Sequence, residues 1–138
     1  MKPGLDSAEL SFYLHATEDE EKVLRAVCNL LQISRDSLER RRLEGHFGNV
    51  ILSFTSVLKG EDASNLWKIV MQSLNSVDKE DIRRNFSERL ENGKHFHIRL
   101  SKQAMVLGQV RLGESDPVKL EFRFSKFPVT EEILDDPF

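Results

Sequence analysis

The sequence predicts an α+β fold, a mainly antiparallel sheet with two main helices packed on one face. Three observations predict it. Residues 9–16 and 118–124 alternate apolar and polar side chains, the period of a strand with one buried face. Two segments, 23–31 and 63–74, place apolar residues at helical spacing with polar residues opposite, so each helix covers a sheet rather than being surrounded by apolar partners. Between them Phe47-Gly48-Asn49 reads as a tight turn joining two extended stretches, and a hairpin pairs its strands antiparallel.

The first strand carries Leu10, Phe12, Leu14 and Ala16 on one side and Glu9, Ser11, Tyr13 and His15 on the other. Thr17-Glu18-Asp19-Glu20 predicts a capping box, with the Thr17 hydroxyl and the Glu20 carboxylate each satisfying a free backbone N–H. The acids there also suit the positive end of the helix. Val23, Ala26, Val27, Leu30 and Leu31 form the buried stripe. Leu38 to His46 is an arginine-rich second strand, and Val50 to Leu58 is its return. Lys59-Gly60-Glu61-Asp62 interrupts before the second helix, whose stripe is Ala63, Leu66, Ile69, Val70 and Leu74, with Trp67 at its margin. Asp78 to Leu90 is polar and fits one or two short helices. Residues 94–100 form a histidine-rich strand, Ser101 to Ala104 a helical turn, Gly108 to Leu112 a brief strand, and Val118 to Phe124 the last strand.

A length of 138 residues with 39% hydrophobic and 31% charged side chains supports one domain with a core, and neither a disordered nor a membrane chain. The domain is read as 1–126, followed by an acidic tail over 127–138. No apolar run approaches the roughly 20 residues of a membrane helix, and the start lacks the apolar core of a signal peptide, so a cytoplasmic location is expected. The single Cys28 forms no intramolecular disulfide and no zinc cluster. Net charge of -3 excludes a molecule that binds polyanions over its whole surface. The acids gather at 18–21 and 131–136, however, and a local basic patch remains available.

The chemistry sits on outward strand positions. His95, His97 and Arg99 alternate with Phe96, Ile98 and Leu100, so imidazoles and a guanidinium share one face. With Tyr13, His15, part of Arg40, Arg41 and Arg42, and Lys119 and Arg123, they offer a sheet face suited to phosphates and unstacked bases. The same side chains serve equally well as solvated positions of a half-buried sheet. His95, His97 and His15 are metal-ligating types, but no carboxylate or thiol stands at a supporting spacing, and no metal or other cofactor is expected. An imidazole pair can also run metal-independent RNA cleavage, which keeps a ribonuclease as a third reading. No phosphate-binding loop, nucleophile elbow or dinucleotide fingerprint is present, and a non-enzyme is the expectation. The second reading is a protein-interaction subunit docking through Trp67, Met71 and Phe138. An exposed sheet edge can also pair two copies as a homodimer.

Three segments carry a resemblance: His15-Ala16-Thr17-Glu18-Asp19 with Lys22-Val23, then His46-Phe47-Gly48-Asn49, then Arg99-Leu100 with Lys102-Gln103-Ala104 and Gly108. In order and spacing they resemble the archaeal RNA-binding protein family described as a predicted exosome subunit, over roughly residues 10–124. The resemblance implies a fold similar to the large-subunit ribosomal protein that binds 5S RNA. It also implies RNA binding without assigned catalysis, no cofactor, and exosome or ribosomal components as partners. By position it marks His15, His46, Asn49, Arg99, Lys102 and Gln103 as binding residues, although Asn49 also suits its turn and Gln103 can bridge backbone. This chain departs from the family pattern at Val50, where a proline often stands, and at Met105, where a second small residue is common.

Overall fold

Leu10, Phe12 and Leu14 bury one side of β1 (Leu5–His15), which lies between two antiparallel neighbours. The protein is described by a computed structural model over residues 4–125 and 129–135. Helix α1 (Glu20–Leu31) follows, then a 3-10 turn at Arg35–Ser37 and the hairpin of β2 (Glu39–Glu44) and β3 (Val50–Lys59). Next come α2 (Glu61–Ser73), the short helices α3 (Ser76–Arg84) and α4 (Phe86–Arg89), the two-residue β4 (Leu90–Glu91), β5 (His95–Leu100), α5 (Lys102–Val106) and β6 (Val118–Phe124). The sheet has the order β2-β3-β1-β6-β5-β4, with every pair antiparallel. Among the described residues no helix is long and apolar enough to cross a membrane.

One core fills the space between the sheet and the helices. Phe12 stacks on Phe54 at 5.1 Å, and α1 contributes Val23, Leu24, Val27 and Leu31. Trp67, expected at the margin of its helix, is 1% exposed and meets Phe96, Phe122 and Phe124 edge-on. The correction has a simple cause: Ala63, Leu66, Trp67 and Val70 stand at i, i+3, i+4 and i+7 and all four are buried, so the indole lies on the stripe itself. Arg35, hydrogen-bonded to Glu21, ties the 3-10 turn to α1 and holds that carboxyl below the usual carboxylate range. Burial pushes the Cys28 thiol up, in line with packing rather than reactivity.

Two local expectations fail for identifiable reasons. The N-cap of α1 is Asp19, which accepts from Lys22 N at 3.2 Å, not Thr17. A turn closed by Glu18 N donating to His15 O delays the helix, and the Glu18 carboxylate is drawn elsewhere. Residues 108–112 form only a single bridge, Leu100 with Leu112. There Asp78 accepts the Leu112 N–H at 3.0 Å, so a side chain takes the donor that a strand would have used.

Beyond β6, Val129 and Ile133 are buried in the core, and Arg83 donates to Asp135 at 2.8 Å. Phe138, considered for docking, lies outside the described residues. The sheet edges are β2 and the short β4, and Arg40, Arg41 and Arg42 on β2 set like charges against pairing with an identical edge.

Candidate nucleic-acid interface

Register decides which outward side chains meet. Directly paired residues share a face, so pairing lays out the surface opposite the helices in rows. Arg41, Ser53 and Tyr13 form one row, and Glu39, Thr55, Ser11, Lys119 and Arg99 the next. Val57, Glu9, Glu121 and His97 follow, and then Lys59, Ser7, Arg123 and His95. Leu43, Ile51 and His15 lie on the hairpin side of the first row.

This face is not one cationic plateau. Glu9 and Glu121 stand directly opposite each other and form an acidic band between the two basic ends. Such a like-charge pair is unfavourable, and His95 offsets it with Nδ1 at 2.7 Å from Glu121. His97 Nε2 lies 3.0 Å from Glu91, and Arg99 donates to Glu114 at 3.4 Å. The histidine strand therefore carries its anions with it. Lys119 and Arg123 have no carboxylate partner among the described residues, and neither does Arg42.

The arginines of β2 divide between the faces. Arg41 is outward beside Glu39, whereas Arg40 and Arg42 pair with Phe54 and Leu52 and so project on the helix side. There Arg40 grips Glu20 of α1 with two hydrogen bonds, 3.1 and 3.2 Å. His46 and Asn49 lie in the β2–β3 turn, where Gly48 adopts φ +77° and Gly45 N donates to Asn49 O at 2.6 Å. Phe47 at the tip is 92% exposed, with the His46 ring edge-on at 4.8 Å. Sequence reasoning treated this phenylalanine only as part of a turn. The available clue was its place directly before Gly48-Asn49, inside the turn itself.

His15, Lys102 and Gln103 form a third group at the end of β1. The Lys102 side chain is 6% exposed, and Nζ donates to Tyr13 O at 2.6 Å, Glu18 at 3.0 Å and Asp116 at 2.6 Å. An ammonium has three donors, and these contacts use all of them. The sequence reading of Lys102 as a phosphate contact is corrected on this ground. His15 Nε2 approaches Asp116 at 3.3 Å, and Gln103 is exposed on α5 beside the same groove. His15, Glu18 and Asp116 bring ligand atoms within 4.8 Å of one another, but the Lys102 ammonium already supplies the positive charge to both carboxylates. The cluster is a structural tie, and it corrects the expectation that no carboxylate supports His15, since chain folding brings Glu18 and Asp116 to it.

Comparisons with known proteins agree with this architecture. A family model described as RNA binding matches residues 7–124. A protein named RNA-binding protein from Pyrococcus abyssi is 32% identical over 130 residues, covering 88% of this chain and 83% of its own. An uncharacterized protein of Methanocaldococcus jannaschii is likewise 32% identical over 130 residues, covering 89% and 87%. The crystal structure of an Archaeoglobus fulgidus protein of the DUF54 family superimposes with a TM-score of 0.77 at 27% identity, over 93% of this chain and 92% of that one. A Sulfolobus solfataricus structure shares the fold at a TM-score of 0.79 and 20% identity, over 93% and 94%. With the matched region running from β1 to β6, this chain belongs to the RNA-binding protein family that the model describes.

Proposed function

We propose that the protein binds RNA without turning it over, and that the contact surface is the hairpin end of the open sheet face. The observation that carries this reading is the register, which sets Arg41 and Tyr13 on either side of Ser53 in one row and Lys119 beside Arg99 in the next. Tyr13 is 44% exposed there, so cations for phosphates flank a ring available to a base. Replacing Arg41, Lys119 or Arg99 with Ala is expected to weaken RNA binding and to lower the slope of log K against log salt by about one each. Arg40→Ala, on the helix side, is expected to leave both unchanged. Equal losses for Arg40 and Arg41, or slopes unaltered throughout, would refute the assignment.

The partner reading is RNA-processing machinery, exosome or ribosomal components, as the family resemblance suggests. Leu107 and Val77 support it, since both are exposed on the helical side and leave the sheet face free for RNA. If this holds, Leu107→Asp abolishes co-purification of exosome subunits from cell extract while RNA affinity is retained. Retained co-purification would count against docking through this side.

A further inference from the structure

We propose that the ligand of this surface is single-stranded RNA, held by stacking of unpaired bases on Tyr13 and Phe47. The inference rests on the RNA-binding reading given above and adds the class of RNA. Among the described residues the exposed large hydrophobics are Tyr13, Leu43, Phe47, Val57, Val77 and Leu107, and the first three lie together at the hairpin end. Tyr13 and Leu43 occupy adjacent rows of the open face, and Phe47 crowns the turn beyond them. From the Tyr13 row at Ser53 to the start of β3 at Val50 is three residues of strand, about 10 Å. Tyr13 on β1, Leu43 on β2 and Phe47 at the turn thus gather at one end of the sheet, with both rings exposed.

Lys102 holds the Tyr13 backbone through its carbonyl, and the His46 ring meets Phe47 edge-on at an interplanar angle of 81°. A paired helix keeps its bases stacked inside and would lay phosphates and 2′-hydroxyls against Tyr13, Leu43 and Phe47, leaving all three without partners. A single strand offers each ring a base face while Arg41 and Lys119 take its phosphates, and stacking of this kind tolerates any base. The surface is therefore matched to unpaired RNA with little sequence preference.

The test uses the full chain and a labelled RNA lacking self-complementarity, alone and annealed to its complement, with binding read by fluorescence anisotropy. The single strand is expected to bind at least tenfold more tightly than the duplex. Phe47→Ala and Tyr13→Leu are each expected to weaken single-strand binding about tenfold, with the salt slope unchanged and duplex binding unaffected. Circular dichroism of both variants keeps a folding loss separate from a binding loss, and Phe47 at an exposed tip gives a variant that folds. Equal or tighter duplex binding, or full affinity in Phe47→Ala, overturns the stacking proposal while leaving the RNA-binding reading standing. Failure of both RNA forms to bind overturns the reading beneath it.

Discussion

Trp67→Ala is expected to cost about 4 kcal/mol of folding free energy, a large part of the roughly 5–15 kcal/mol that holds a domain of this size together. The indole is 1% exposed and touches Phe122 at 5.0 Å, Phe124 at 5.5 Å and Phe96 at 5.7 Å between ring centres. These rings belong to β6 and β5, so one helical side chain fastens α2 to two strands far from it in sequence. Truncation leaves a cavity walled by three phenylalanines, which do not collapse readily because each is fixed by its own strand. Trp67→Phe is expected to cost much less. It keeps a ring at the contact and removes the indole N–H, which is buried and has no hydrogen-bond partner among the described residues. Because Trp67 is the only tryptophan, urea unfolding of both variants should be followed by circular dichroism rather than by intrinsic fluorescence. A loss below about 1 kcal/mol in Trp67→Ala would mean that α2 does not depend on this contact.

What was legible in the sequence follows from the range of the interactions involved. Alternation is local, so Val118 to Phe124 was read with the bounds that β6 has, and the inward and outward sets of His95 to Leu100 were assigned correctly. Two amphipathic helices over one sheet followed from periodicity in the same way. Register is non-local, however. Nothing near Glu9 announces that Glu121 will face it across the sheet, or that Arg40 will turn toward Glu20 while Arg41 turns away. The basic face expected from the outward strand positions is consequently split by an acidic band. The histidine strand draws attention through its residue types, but its two imidazoles are hydrogen-bonded to carboxylates on β4 and β6. The hairpin end was under-read because Phe47 looked like a turn residue, and exposure of a ring is visible only once the core is known to be elsewhere.

Lys102→Ala is expected to destabilise the fold by about 3 kcal/mol and to leave the salt slope of RNA binding unaltered. Four parts of the chain meet at this ammonium: the end of β1 through Tyr13 O, the turn before α1 through Glu18, the first position of α5, and the loop before β6 through Asp116. Removing the cation leaves a carbonyl without its donor and two carboxylates close together, which repel. Water reaches Glu18 and Asp116 more readily than it reaches Lys102, so the cost falls at the lower end of what breaking a buried pair incurs. A double-mutant cycle isolates the coupling. Asp116→Asn is expected to be destabilising in the parent and nearly neutral, or favourable, once Lys102 is Ala, because the carboxylate then has only Glu18 and His15 beside it. RNA affinity should fall modestly through the Tyr13 backbone, which loses its anchor, and the number of phosphate contacts should stay the same. If Lys102→Ala folds with parental stability and instead lowers the salt slope by about one, the ammonium contacts RNA and the tie described here is not what holds the end of β1.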